Sequence, residues 1–147
     1  MGSRDADIDF TFTDPTTVRA IVDALTGVGW SVEDPAGGVT HMINDADDMY
    51  EWYASSPEDL DEVLVRLDAP SNLPYTVAIN VYHSQAGTGG MFMFMPGRKE
   101  ALFSPSINRR HIPAAPALTD LAWYLHALVP ALAAAGLEGY EAKEIKY

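Results

Sequence analysis

The chain has no cysteine and few histidines or lysines among its 147 residues. Without cysteine there is no disulfide and no thiolate metal site, and nothing indicates the disulfide scaffold of a small secreted domain. The histidines stand in neither a His-x-His nor a His-x-x-x-His spacing, so we expect no metal and no cofactor. These residues are His41, His83, His111 and His126.

The sequence also lacks the signatures of catalysis. It contains no Gly-x-Ser-x-Gly elbow, no paired-carboxylate motif and no nucleophile with an adjacent base. The segment 87–90 is Gly-Thr-Gly-Gly, but a Walker loop ends in Gly-Lys-Ser/Thr and a dinucleotide loop opens a helix. Here a strand pattern follows instead, which indicates a hairpin turn. We therefore do not expect an enzyme.

A long apolar run is missing too. The most apolar stretch, Leu118 to Leu137, contains Asp120, His126 and Pro130, so it is typical of a buried amphipathic helix rather than of a membrane span. Residues 1–7 are polar and acidic, with no apolar segment of a signal peptide behind them. The sequence thus predicts a cytoplasmic protein without a membrane partner.

Basic residues are scarce and unevenly placed along the chain. The net charge is −12; residues 1–68 hold 16 acids and 3 bases, whereas residues 69–147 hold 5 acids and 6 bases. If the two halves occupy different surfaces, the electrostatic field of the protein is negative on one side. That side repels nucleic acid and favours a basic protein partner. The alternative is ordinary solubility charge.

Alternating and helical patterns succeed one another along the chain. Residues 8–13 alternate between apolar and polar side chains, which predicts a half-buried strand. Apolar residues recur at i, i+3, i+4 and i+7 after Asp14-Pro15 and again after Ser56-Pro57, and each of these pairs suits a helix start. The patterns predict three helices, near residues 15–26, 57–68 and 119–135.

These elements define an α+β fold. The predicted order is β-α-β-β-β-α-β-β-β-α-β, and residues 8–82 fit the ferredoxin-like order β-α-β-β-α-β if residues 30–43 count as one broken strand. No linker interrupts the chain. We therefore predict one domain over residues 1–147, with a mainly antiparallel sheet and three helices packed on one face.

An acidic loop followed by an aromatic strand is the first candidate binding segment. Its acids do not fit an EF-hand, which needs Gly at its sixth position and Glu at its twelfth. Acids beside exposed aromatics favour docking on a basic, partly apolar protein site. A solvated loop, with the aromatics at 50 and 52 on the core face of the strand, is the alternative. The predicted partner-binding residues are Asp45, Asp47, Asp48, Glu51 and Tyr53.

The second candidate segment is Ser104 to His111, which joins two hydroxyls, two arginines and a histidine on a predicted irregular stretch. Paired arginines bind phosphate or carboxylate groups bidentately, so Arg109, Arg110 and His111 form a candidate anion site. The alternative is structural: one of the arginines pairs with an acid of the first half and fixes the loop.

A third segment, Met91 to Met95, is apolar at every position. This pattern is typical of a central strand that is covered on both faces. If one face is bare, its methionines form an adaptable binding surface.

Small size, acidity, absence of cysteine and several aromatics together form a profile that resembles bacterial immunity proteins and other small cytoplasmic inhibitors. The resemblance is one of overall profile, and it implies an acidic face that occludes a basic toxin or effector protein. Two alternatives stay open. One is a domain or enzyme that binds a small anionic ligand through the Ser104–His111 segment. The other is a homo-oligomeric scaffold, such as a homodimer, paired through a strand edge.

Overall fold

A computed structural model describes residues 4–44 and 51–146. Two short 3-10 turns, Pro57–Asp59 and Pro70–Asn72, accompany the main elements. In chain order these elements are β1 (Arg4–Phe12), α1 (Val18–Thr26), β2 (Val39–Asn44), β3 (Trp52–Ser55), α2 (Leu60–Leu67), β4 (Thr76–His83), β5 (Thr88–Phe94), β6 (Glu100–Ile107), β7 (His111–Ile112), β8 (Ala115–Thr119), α3 (Leu121–Ala134) and β9 (Leu137–Lys146).

Seven strands form one antiparallel sheet in the order β3-β2-β4-β5-β6-β1-β9. The α+β class, the three helices and the mainly antiparallel sheet are therefore as predicted. The first six elements also follow the predicted order β-α-β-β-α-β. Their strands do not form a separate four-stranded sheet, because β1 pairs with β6 and β9 while β2 and β4 pair with each other.

The helices cover one face of this sheet and share one hydrophobic core with it. Each helix presents a stripe of apolar residues at helical spacing, which becomes stable only by packing on the sheet. The buried helix residues are Val18, Ile21, Val22 and Leu25 of α1, Val63, Leu64 and Leu67 of α2, and Tyr124, Leu128, Ala131 and Leu132 of α3. Alternate strand residues complete the core, among them Ile8, Phe10, Phe12, Ile79, Phe92, Phe94 and Phe103.

The helix starts differ from the predicted caps by a few residues. The Thr17 hydroxyl accepts a hydrogen bond from the Ala20 amide at 3.0 Å and begins α1, rather than Asp14. The Asp120 carboxylate accepts from the Trp123 amide at 3.1 Å and begins α3, one residue after the predicted start at position 119. Both are short polar side chains of the kind that helix starts prefer.

The segment after β6 is more regular than the sequence suggests. The predicted irregular stretch holds the end of β6 and a small second sheet, in which β7 pairs with β8. Conversely, residues 30–32, predicted as a strand, make only an isolated bridge between Ser31 and Tyr82. Proline inside a helix removes a backbone hydrogen bond and usually kinks or ends the helix, yet α3 runs through Pro130.

No helix within the described ranges is long and apolar enough to cross a membrane.

Candidate interaction surface

The face of the sheet opposite the helices carries apolar side chains across five strands. Strand alternation directs these side chains away from the residues that contact the helices. The register aligns Trp52 with Met42, Met42 with Ala78, Ala78 with Met93, and Met93 with Leu102. Trp52 is 42% exposed. We call this surface the methionine face; it consists of Met42, Trp52, Ala78, Met91, Met93 and Leu102.

The methionine face is only partly covered. Met91, Met93 and Leu102 are half-buried, whereas Met42 and Ala78 are buried. The predicted central strand is therefore asymmetric, with Phe92 and Phe94 in the core and methionines on the other face. Thioether side chains are flexible and polarizable, which suits them to an adaptable contact surface.

Acidic side chains border the methionine face on the β1–β9 side. Asp9 lies between Leu102 of β6 and Glu141 of β9, so two acids stand directly opposite each other. Glu100, opposite Thr11, lies nearby and lines the same shallow depression of about 430 Å³. Like charges in opposed positions are unfavourable, and a cation placed between them relieves the repulsion. We call Asp7, Asp9, Glu100 and Glu141 the acidic border.

Asp7 shows the electrostatic character of this border. Burial raises the pKa of the Asp7 carboxyl above its ordinary value, and the neighbouring charges of Asp5 and Asp9 raise it further. Lys143, opposite Asp7 on β9, and Arg109 act in the other direction. Burial and the two neighbouring acids thus make the Asp7 carboxyl easier to protonate than a free aspartate.

The predicted acidic loop is described only at its end. Asp45, Asp47 and Asp48 lie outside the described residues. Glu51 and Tyr53 are exposed, and the Tyr53 hydroxyl donates to a Glu51 carboxylate oxygen at 2.7 Å. The role of these five residues in partner binding stays a prediction.

Arg109 is engaged in contacts within the protein. Its Nε donates to the Pro105 carbonyl at 3.1 Å, and its Nη1 lies 3.9 Å from a Glu144 carboxylate oxygen. Thr119 also donates to that carboxylate, through its amide at 2.9 Å and its hydroxyl at 2.8 Å. These contacts match the structural alternative, except that the acid belongs to β9 rather than to the first half of the chain.

Arg110 and His111 have different surroundings. The Arg110 guanidinium carbon lies 4.7 Å from the centre of the Trp123 ring, a cation–π distance. The Arg110 amide donates to the Tyr124 hydroxyl at 2.9 Å, while His111 is exposed at the start of β7. The two arginines thus have separate intramolecular partners, and a role of this segment in anion binding stays a prediction.

His83 is part of an aromatic cluster on the helix side. Its ring lies edge-on to Trp30 and Trp123, with centroids 5.2 and 5.4 Å away. Its Nδ1 accepts from the Ala86 amide at 3.2 Å. These contacts hold the β4–β5 turn against α3, a packing role, whereas His126 is exposed.

A cleft of about 620 Å³ opens where β4 and the loop before β2 meet. Its volume is typical of ligand sites. Thr40 and Asn80 lie on the same sheet face as Met91, so the cleft continues the methionine face. We call it the Tyr82 cleft; its lining includes Asp34, Pro35, Thr40, Asn80, Tyr82 and Ser84.

Tyr82 is almost fully buried in this cleft. Gly89 lies opposite it on β5, where a Cβ would collide with the Val81 carbonyl and crowd the Tyr82 ring. The Tyr82 hydroxyl donates to Asp34 Oδ2 at 3.3 Å. Burial raises the pKa of the Tyr82 phenol above its ordinary value of 10.0.

The Tyr82 cleft was not predicted from the sequence, although part of its signal was present. The strand 76–83 alternates, and Asn80 and Tyr82 occupy the positions that do not face the helix-side core. That pattern identifies a polar strip on β4. It does not identify Asp34, which reaches Tyr82 across 48 positions of sequence.

The chain matches no protein family, no curated protein and no solved structure to which it was compared. Within residues 4–44 and 51–146, no three His, Asp or Glu side chains are grouped to hold a metal ion.

Proposed function

We propose that this protein binds a basic protein partner through the methionine face and the acidic border, and that it acts as an inhibitor of that partner. The observation that carries the proposal is the continuity of the two surfaces: Leu102 lies opposite both Met93 and Asp9. Apolar area supplies affinity and adjoining acids supply orientation and speed of encounter.

Inhibition is the narrower part of the proposal. The net charge of −12 and the profile shared with immunity proteins support a toxin or effector with a basic active-site cleft as the partner. In this mechanism Trp52, exposed at the rim of the methionine face, anchors the complex, because large aromatic side chains dominate interface energies. The acids then occupy the cationic groups that the partner would use on its substrate.

Two double variants with equal charge change test the binding surface. Asp9→Lys with Glu141→Lys alters the acidic border, whereas Asp23→Lys with Glu62→Lys alters exposed positions of α1 and α2. The partner captured by the wild-type protein from its native host is identified and purified, and its affinity is measured for both variants. We expect the border variant to bind at least about tenfold more weakly and the helix variant to bind normally.

An equal loss of affinity in both variants would show that only the net charge matters. No loss of affinity in either variant would reject the proposed surface. The inhibitory role has its own readout. Stoichiometric addition of the wild-type protein should abolish the activity of the purified partner. A partner that is bound but remains fully active would reject inhibition and leave binding in place.

Self-association through β9 is the second candidate function. β9 is an edge strand of ten residues, and an edge strand presents unpaired backbone groups. Its charged side chains, among them Lys143 and Lys146, act against pairing with a second copy. Light scattering on the purified protein distinguishes the two candidates, since a stable dimer through β9 would favour the scaffold.

A further inference from the structure

We propose that the Tyr82 cleft is a binding site for a guanidinium or alkylammonium group, presented by an arginine or lysine of the protein partner. The identification of the partner as the source rests on the proposed function. The cation chemistry of the site does not, because it follows from the lining of the cleft.

The charge of the lining selects a cation. Among the lining residues that the structure describes, Asp34 is the acid; His83 is also present, but no lysine or arginine is. The Asp34 carboxylate is fixed in place: Oδ1 accepts from the Ala36 amide at 2.8 Å, and Oδ2 accepts from the Tyr82 hydroxyl at 3.3 Å. A carboxylate has about four acceptor positions, so it retains capacity for a cationic donor.

The remaining lining suits the rest of such a group. The almost fully buried Tyr82 forms part of the cleft wall, and Pro35 and Ile107 offer apolar surface for an alkyl stem. Thr40, Asn80 and Ser84 add hydroxyl and amide oxygens that accept hydrogen bonds from N–H groups. The neutral Tyr82 hydroxyl donates to Asp34 and helps to keep its carboxylate in position.

The place of the cleft on the sheet connects it with the docking surface. Asn80 of the cleft lies opposite Met91 of the methionine face. A partner seated on the methionines can therefore insert one side chain into the cleft. An inserted charged side chain surrounded by apolar contacts is the arrangement that interface anchors adopt.

The probe for the test is N-acetyl-arginine amide, with N-acetyl-citrulline amide as its neutral isostere. Binding to the full chain is followed by amide chemical shifts in two-dimensional NMR. We expect the arginine probe to shift the amides of Asp34, Asn80 and Tyr82, and the citrulline probe to leave them unchanged. Asp34→Asn, which retains the Oδ1 acceptor, should weaken the arginine probe about tenfold. Asp23→Asn, an exposed position on α1, is the matched control.

Three results would overturn the proposal: equal binding of citrulline, shifts confined to other surfaces, or an unchanged affinity in the Asp34→Asn variant. The captured partner then identifies the source of the cation. If Asp34→Asn weakens the partner about tenfold, a partner side chain occupies the cleft. If it weakens only the arginine probe, the cation site stands and its ligand is a free small cation. If only the Asp9→Lys, Glu141→Lys variant loses binding of the partner, the result concerns the docking surface and not the cleft.

Discussion

His41 is a titratable side chain buried on the helix side of β2, opposite Tyr53 of β3. Neither ring nitrogen has a hydrogen-bond partner among the described residues. Burial lowers the pKa of His41 below its ordinary value of 6.5, and the charge of Arg66 lowers it further. The neutral imidazole is therefore the form that the folded protein accommodates.

This placement predicts a pH-dependent stability. At pH values between the lowered pKa of His41 in the folded protein and the value of 6.5 in the unfolded chain, His41 is protonated more in the unfolded state than in the folded state. The free energy of unfolding should therefore fall as the pH falls through this range, and His41→Leu should reduce that fall. Urea unfolding from about pH 7.5 to about pH 5.5 measures the slope for wild type and variant.

His126→Leu is the control for this prediction, because His126 lies exposed on α3. Its slope should equal that of the wild type. An identical slope in all three proteins would contradict the assignment of the pH dependence to His41.

At the scale of elements, Asp68 joins two helices. It follows α2, and its carboxylate accepts from the backbone amides of Val18 at 2.7 Å and Arg19 at 3.1 Å at the start of α1. These amides have no partner inside their own helix. The positive end of the helix dipole also favours a carboxylate there. One side chain thus caps α1 from a distant part of the chain.

Asp68→Ala should lower the free energy of unfolding by about 1–2 kcal/mol, the usual cost of losing a helix cap. Asp23→Ala, in the middle of α1, also removes an aspartate carboxylate but no helix cap. It should lower the free energy of unfolding by less than about 0.5 kcal/mol. Chemical unfolding followed by circular dichroism measures both values. Equal costs would show that the position of the carboxylate at the helix start is irrelevant.

The helices illustrate what the sequence predicts about elements and where prediction ends. The apolar stripes of α1 and α2 are local patterns within eight consecutive residues, and the sequence predicts them correctly. The Asp68 cap spans 50 positions, and no local pattern contains it. The β7–β8 ribbon escaped prediction for another reason: Pro113 and Pro116 are typical of irregular chain. Pro113 lies between the two strands, and Pro116 lies within β8 but is not one of its paired positions.

At the scale of the whole molecule, the charge asymmetry of the sequence is redistributed in space. β1, from the acidic half, lies between β6 and β9 of the other half, while β2 and β3 lie at the opposite edge. Glu100 and Glu141 of the second half then join Asp9 in the acidic border. The sequence predicts an acidic binding face, but strand order decides which acids share it, and composition carries no information on strand order.

The field of this surface should control the rate of association with a basic partner. Raising the salt concentration from about 0.05 M to about 0.5 M should slow association on the order of tenfold, since exposed charges are screened within a few ångströms at high salt. Met93→Ala should instead speed dissociation and leave the salt dependence unchanged. Surface-based binding kinetics at the two salt concentrations measure both rates. An association rate that ignores salt would remove the electrostatic part of the proposal.

The enclosure of β1 between β6 and β9 also determines when the protein can fold. Ile8 pairs with Phe103 on one side and with Ala142 on the other, so the apolar face of the first strand meets its neighbours only after most of the chain has been synthesised. Closing such long loops is slow compared with forming local hairpins. A nascent chain therefore leaves the ribosome with Ile8, Phe10 and Phe12 unpaired. During that interval these apolar side chains are open to non-native contacts of the kind that chaperones prevent.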